Sequence, residues 1–363
     1  MQLKEQKILA LYSDTSLQEV ELAFALTDGL DILKVENSFS RPYPYELKDK
    51  LLNVTQDQLA DKKYLNELEK EVTDFFISIL QEGMENISDK PDAISIVGPI
   101  IQNSPQEKHA IELGDFKKIG TTFGIPVIGH FMQTDLTAGG MGSPLKAVFW
   151  ETMARKLEKP LIIANIGGIL KLTYLGPNGE IVGFDVGIGT SVMDEWVFKK
   201  TGQSQDDDGW LSAQGKSDKK VVKALLEHPY FKKVPPKAVE QNDFDVLLGQ
   251  LEGLSPADGC ATLVSFFVES LKKACAFLPE KCENWILIGG GLKNPSLVLA
   301  LKQTFKNVQK GIECFPFHEH LNAVGTAFLG ARRLMNLPIS LPTTTGVTEA
   351  VSGGEIFDPA HDK

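Results

Sequence analysis

Apolar and polar positions alternate from the first residues onward. The runs KILALY (7–12), VELAFAL (20–26) and LDILKVE (30–36) are separated by turn residues that include Asp14, Ser16, Asp28 and Gly29. This pattern predicts three consecutive strands. The spacing then changes. Leu65, Leu68, Val72, Phe75 or Phe76, and Ile79 recur at helical intervals within residues 64–83, and Gly83 suits a C-terminal cap. A strand is expected at 93–98, a helix near 115–123, a strand at 126–131 and a helix from Ser143 to about Leu157. The second half restarts the rhythm with strands at 161–168, 169–175 and 181–187. Helices follow at 190–200, 218–227, 243–252 and 256–276, then a strand at 284–291, a helix after Asn294, a strand at 313–317 and a last helix near 321–335.

Both halves pass from a three-strand meander into alternating helices and strands. That predicts an α/β protein with two lobes of mixed sheet, flanking helices and a cleft between the lobes, possible products of duplication. A chain of 363 residues exceeds what one core holds. The lobes are expected at 1–140 and 141–363, the last helix being free to pack back on the first lobe.

Composition narrows the partners. A formal net charge of −11 without a basic cluster excludes nucleic acid and anionic membrane surfaces. No apolar run reaches the length of a spanning helix or a signal peptide, so a cytoplasmic protein is expected. Cys260, Cys275, Cys282 and Cys314 have no C-x-x-C spacing and read as core cysteines in a reducing compartment.

Chemistry concentrates in glycine turns. In DLTAGGMGSPL, Asp135 stands ahead of Gly139, Gly140 and Gly142, and Ser143-Pro144 reads as a helix start. Backbone N–H groups at such a place favour anions, and Asp135 is a candidate general base. Three further turns end expected strands: Asn165, Gly167 and Gly168 in NIGG, Asp185, Gly187 and Gly189 in DVGIG, and Gly289, Gly290 and Gly291 in GGG. Without a Cβ, each lets a phosphate approach the backbone closely, and tight strand connections are the alternative. None is a P-loop or a dinucleotide fingerprint. His318 and His320 flank Glu319 but give too few donors for a metal site, and Asp206 to Asp208 read as a solvated turn with magnesium as the alternative.

These blocks resemble the 1,6-anhydro-N-acetylmuramic acid kinases. DLTAGGMGSPL is similar to the family's D-[VI]-A-x-G-G-Q-G-A-P-L, NIGGILKLTYL to N-I-G-G-I-x-N-L-[ST], and GFDVGIGTSVMD to G-[FY]-D-T-G-P-G-N-x-L-M-D. The DDDG turn, HPYFKKVPPK (228–237), ATL (261–263), GGGLKNPSL (289–297) and LPTTTG (341–346) follow in the family's order. The resemblance implies an actin/hexokinase-type fold, a homodimer, and a small-molecule sugar and nucleotide as ligands. It also implies ATP-dependent phosphorylation of O6 while water opens the anhydro bridge at C1, with ATP and Mg2+ as cofactors in peptidoglycan recycling. Asp135 matches the aspartate that activates that water, and Gly139, Gly140 and Gly142 fall on the sugar side. The nucleotide side comprises Ser13, Asp14, Thr15, Ser16, Asn165, Gly167, Gly168, Asp185, Gly187, Gly189, Gly289, Gly290, Gly291 and Asn294.

The chain departs from that pattern where ligands are held. The family's S-G-T-S-x-D-G-x-D is SDTSLQEVE here, so its glycines become Asp14 and Glu19 and its first aspartate Gln18. A carboxylate 4 Å from a phosphate charge costs about 4 kcal/mol at an effective dielectric near 20. The family's H-G-Q-T is Val97-Gly98-Pro99-Ile100, and its D-F-R-x-R-D is His130-Phe131-Met132-Gln133-Thr134-Asp135, without the arginines suited to a carboxylate. S-T-G-R-E is Ala238-Val239-Glu240-Gln241-Asn242, and M-E-A is Leu321-Asn322-Ala323. Apolar and turn positions persist while polar ones change. The expectation is a family member with impaired or lost activity, the alternatives being a binding or scaffold protein and a kinase for another, neutral sugar.

Overall fold

The computed structural model describes residues 4–13, 17–54, 58–59, 61–240, 243–244, 246–315, 317 and 319–360. Two compact units emerge. The first comprises residues 1–153, 316–342 and 347–363, and the second 154–315 and 343–346.

In the first unit, β1 (Gln6–Ser13), β2 (Glu19–Thr27) and β3 (Ile32–Pro42) form the expected antiparallel meander. β4 (Ala93–Val97) joins β1 in parallel after a crossover through the helix Lys62–Glu85. β5 (Ile100–Ser104) and β6 (His109–Glu112) make a separate antiparallel hairpin, and β7 (Val127–Gly129) pairs in parallel with β4. In the second unit, β8 (Leu161–Ile166), β9 (Ile169–Leu175) and β10 (Ile181–Ile188) form another antiparallel meander. β11 (Asn284–Ile288) pairs in parallel with β8, and β12 (Val308–Lys310) in parallel with β11. The strand orders β3-β2-β1-β4-β7 and β10-β9-β8-β11-β12 are the same topology used twice. β13 (Glu355–Phe357) then adds antiparallel to β7 at the edge of the first sheet.

Each sheet buries its own core. In the first unit Leu9, Leu11, Leu22, Phe24, Ile94 and Ile96 pack with Leu68, Val72, Phe76 and Ile79 of the helix Lys62–Glu85. Burying these side chains contributes roughly 1.5–3 kcal/mol each. In the second unit Ile162, Leu172, Phe184 and Leu287 pack with Leu263, Phe266, Phe267 and Leu271 of the helix Pro256–Ala274.

Local physics moves several expected boundaries. Gly83 lies inside the helix, not at its cap, because a Cβ there would meet Leu22 Cδ1 at 2.6 Å; Asn86 ends the helix. Ser143-Pro144 does not open a helix; residues 143–146 stay outside regular structure. The helix is Ala147–Met153, and its first bond runs from the Trp150 N–H to the Lys146 carbonyl. Phe149 on that helix packs against Phe328 with ring centroids 5.8 Å apart, which draws the unit boundary to Met153, beyond 140. Phe328 belongs to the last helix, Leu321–Leu334, also part of the first unit. The strand expected at 313–317 lies at Val308–Lys310, because Glu313 accepts the Lys310 N–H at 2.9 Å and folds Gly311–Cys314 into a helical turn. The helix expected at 243–252 shortens to Leu247–Gln250. Among the described residues no helix is long and apolar enough to cross a membrane. Of the four cysteines Cys260 is buried in the core, Cys275 and Cys282 are half-buried against it, and Cys314 is half-buried outside that cluster.

Candidate functional site

Asp135 sits on the short helix Phe131–Thr137 that follows β7. Its side chain is fully buried, and Oδ2 accepts the Gly142 N–H at 2.7 Å. The Gly140 N–H donates to the Asp135 carbonyl at 2.9 Å, so the glycine turn folds back on the aspartate from both sides. The glycines have distinct tasks. Gly140 has no Cβ because one would strike the Asp135 carboxylate, and Gly142 has φ +78° with Met132 Cγ 2.8 Å from where its Cβ would stand. Gly139, at φ +89°, borders open space.

The two arginine positions upstream are occupied by local contacts. Met132 covers Gly142. Thr134 Oγ1 donates to the His130 and Phe131 carbonyls and accepts the Gly354 N–H at 2.6 Å, which ties it to the segment before β13. Between them, Gln133 accepts the Ala110 N–H at 2.9 Å and donates to the Lys108 carbonyl at 3.0 Å, holding the β5–β6 hairpin. His130 lies against Phe116 and Phe357 and pairs with Glu355 at 3.2 Å.

On the phosphate-loop side, Asp14, Thr15 and Ser16 lie outside the described residues, as do Gln241, Asn242 and His318. Ser13 ends β1 and accepts the Tyr43 hydroxyl at 2.8 Å. Glu19, in place of a glycine, accepts the Ser40 hydroxyl at 2.7 Å, and Gln18 accepts from Lys48 at 2.7 Å. The loop's last acidic position, Glu21, is the strongest feature that sequence reasoning passed over. Its carboxylate accepts the backbone N–H groups of Asn322 and Ala323, each at 3.1 Å, and the Asn322 side-chain amide at 3.1 Å. It therefore caps the N-terminus of the helix Leu321–Leu334. Lys146 Nζ donates to the Asn322 carbonyl at 3.0 Å and stands 3.4 Å from the Tyr12 ring centroid. Burial pushes the Glu21 carboxyl above the usual range, and the Asn322 bond and the Lys146 charge oppose that shift.

Glu112 is a second carboxylate the sequence did not mark. It accepts the Gly98 N–H at 2.6 Å and the His130 backbone N–H, and burial raises its pKa. Gly98, at φ +82°, abuts the Ser13 carbonyl. The sequence signal for Glu21 was a carboxylate inside an expected strand, and Glu112 carried none.

In the second unit the three glycine turns converge. Gly289, at φ +98°, packs on Asn165 and the Ile166 carbonyl, and a Cβ at Gly291 would meet Ile166 Cγ2 at 2.6 Å. The Gly189 N–H donates to the Gly168 carbonyl at 2.8 Å and the Thr190 N–H to the Gly167 carbonyl at 2.9 Å. Asn165, Gly167, Gly168, Gly189, Gly289 and Gly291 thus meet at one end of β8 and β11, and Gly290 borders open space. Asp185, Gly187 and Asn294 are engaged elsewhere. Asp185 pairs with Lys171 at 2.9 Å and accepts the Val239 N–H at 3.1 Å, while Gly187 faces Phe231. Asn294 caps the helix Pro295–Thr304 through the Leu297 N–H and donates to Ser212 at 3.1 Å and Asp206 at 3.3 Å. Asp206 itself is buried and accepts the Leu211 and Ser212 N–H groups, so only Asp207 and Asp208 form the solvated turn.

Among the described residues no three His, Cys, Asp or Glu side chains gather into a possible metal cluster. The Asp185, Asp206 and Glu21 carboxylates are each held by protein donors.

Residues 6–359 match the family model described as anhydro-N-acetylmuramic acid kinase. The chain is 32% identical over 356 residues to the anhydro-N-acetylmuramic acid kinase of Paramagnetospirillum magneticum, covering 97% of this chain and 99% of that one. It is 33% identical to the protein of the same name from Acidiphilium cryptum, covering 97% and 98%. Among solved structures, component A of the (R)-2-hydroxyglutaryl-CoA dehydratase of Acidaminococcus fermentans has a TM-score of 0.45 at 10% identity, over 91% of this chain and 99% of that one. From β1 to β13, the chain belongs to the anhydro-N-acetylmuramic acid kinase family.

Proposed function

We propose that this family member keeps the kinase fold and the nucleotide-side turns but has lost phosphoryl transfer to the anhydro-sugar, and works as a binding protein. The observation that carries the reading is the Asp135 carboxylate, fully buried and bonded to the Gly142 N–H at 2.7 Å. A general base must reach the proton it removes, directly or through one water. Here the carboxylate shapes a turn.

Two further features support the same reading. Met132 and Thr134 stand at the family's arginine positions, so a substrate carboxylate has no planar bidentate partner there. Glu21 with Asn322 and Lys146 forms a polar cluster closed on itself at the phosphate-loop side. Each lost charged contact costs about 1.5–3 kcal/mol, and losing several together removes orders of magnitude in rate. ATP and magnesium would supply a transferable phosphoryl group if bound. This chain's contribution on that side is the converged turn around Gly290.

The test is incubation of the full-length protein with Mg-ATP and 1,6-anhydro-N-acetylmuramic acid, with mass-spectrometric detection of the 6-phosphate. No phosphorylated sugar is expected. Turnover comparable to that of the Paramagnetospirillum protein assayed in parallel overturns the proposal. Thermal unfolding with Mg-ATP and with the sugar reports binding separately: a ligand at 100 times its Kd stabilises by about 2.7 kcal/mol. No shift with either ligand removes the binding half of the proposal.

A further inference from the structure

Apart from the glycine turns, the second unit has a groove of about 470 Å3 where the helix Pro256–Ala274 hands over to β11. Two thiols line it. Cys275 is the first residue past that helix, and its Sγ donates to the Leu271 carbonyl at 3.3 Å. Cys282 stands two residues before β11, and its Sγ donates to the Asn284 carbonyl at 3.4 Å. Both are half-buried and reduced. The floor is the Trp285–Phe305 stack, with centroids 4.0 Å apart, and the rim carries Lys272, Glu280 and Lys281.

We propose that Cys275 and Cys282 are a paired modification site, a dithiol that low-molecular-weight disulfides close into an intramolecular disulfide across this groove. Three observations converge on it. The thiols line one cavity that is open to solvent. They are joined by a short connecting segment, 275–282, which holds a single 3-10 turn and no strand. Each thiol donates a weak bond to a backbone carbonyl, Cys275 to Leu271 and Cys282 to Asn284, and Cys282 has a further backbone bond at Ile162. Burial pushes Cys275 up to about 11, with the nearby Cys282 adding to the shift, and burial also raises Cys282. The pair is therefore protonated at neutral pH and closes faster as pH rises.

The chemistry balances in two exchanges. One protein thiolate attacks a sulfur of oxidised glutathione, forming a mixed disulfide and expelling one glutathione thiolate. The second protein thiolate attacks the protein sulfur of that mixed disulfide, forming the Cys275–Cys282 bond and expelling the other glutathione. The protein loses two protons and two electrons, and glutathione disulfide becomes two glutathione molecules. The new bond fixes the end of the helix Pro256–Ala274 to the entry of β11, whose far end carries Gly289 to Gly291.

The experiment uses the reduced full-length protein at about pH 9, where more of each thiol ionises. After exposure to oxidised glutathione, intact mass and peptide mapping are expected to show loss of two hydrogens and one linked peptide joining residues 275 and 282. Cys275→Ser and Cys282→Ser are each expected to trap a single glutathione adduct on the remaining partner. Phenylarsine oxide, which condenses with two close thiols and releases water, is expected to protect both cysteines of the unaltered protein from alkylation. This readout does not depend on any variant folding. Separate stable glutathione adducts on both cysteines, no reaction at either, or no protection by the arsenical would each overturn the proposal.

Discussion

Asp135 Oδ2 and the Gly142 amide are 2.7 Å apart, and this bond closes the glycine turn onto the buried end of the helix Phe131–Thr137. Removing an acceptor from a buried donor costs about 1–3 kcal/mol. Asp135→Ala is therefore expected to lower unfolding stability by about that amount. Asp135→Asn keeps an acceptor oxygen and should lose less. Urea unfolding of the three proteins checks the order. If Asp135→Ala unfolds at the same urea concentration as the unaltered protein, the carboxylate has no structural task and the turn needs another explanation.

Glu21 holds the N-terminus of the helix Leu321–Leu334, and that relation crosses most of the chain. Its carboxylate takes two backbone N–H groups and the Asn322 amide. Replacing an N-terminal cap acceptor by alanine costs about 0.5–2 kcal/mol, and Glu21→Ala is expected to fall within that range. Because the Asn322 amide loses its acceptor while its oxygen keeps the Lys146 ammonium, Asn322→Ala in the Glu21→Ala background should cost less than in the unaltered protein. A double-mutant cycle by chemical denaturation measures the coupling. Additive losses would mean that the two residues act independently.

What the sequence made legible follows from periodicity. The two meanders, the helix Lys62–Glu85 and the parallel strands Ala93–Val97 and Asn284–Ile288 are visible because each buries a face with its own spacing. The glycine turns were legible for the same local reason, and those of the second unit do converge. Partnerships were not. Glu21 meets Asn322, and Thr134 meets Gly354, across separations that no local pattern encodes. Asn294 is expected on the nucleotide side and Asp206 in a solvated turn, yet in the fold they bond to each other. The β5–β6 hairpin escaped notice because Gln102, Asn103 and Ser104 interrupt its apolar alternation.

Gly289 shows how tightly the second-unit turns are packed. Its φ of +98° disfavours any side chain, and a Cβ would collide with Asn165 and the Ile166 carbonyl. Gly289→Ala is expected to destabilise by about 1–3 kcal/mol from backbone strain, with the collision adding to it. Gly290→Ala is a sharp control. That position borders open space, so its substitution should leave thermal stability nearly unchanged while testing access to the turn. Equal losses at the two positions would refute the distinction.

Lys237 gives the protein a stability that depends on alkaline pH. The side chain is 3% exposed, and its Nζ donates to the Tyr230 carbonyl at 3.3 Å. The nitrogen also lies 4.6 Å from the Tyr230 ring centroid and 5.1 Å from that of Phe277. Burial pushes its pKa down to about 8, against the pull of the Asp185 carboxylate, while Lys233 and Lys273 push it further down. Between about pH 8 and the ordinary lysine value the unfolded chain holds a proton that the folded protein has released. Stability should therefore rise with pH across that window and flatten above it. Lys237→Met removes the ionising group but fills similar space, so it is expected to raise stability near neutral pH and abolish the alkaline rise. Denaturant unfolding of both proteins from neutral to alkaline pH reads this directly. Parallel pH profiles for the two would show that Lys237 keeps an ordinary proton affinity in the folded state.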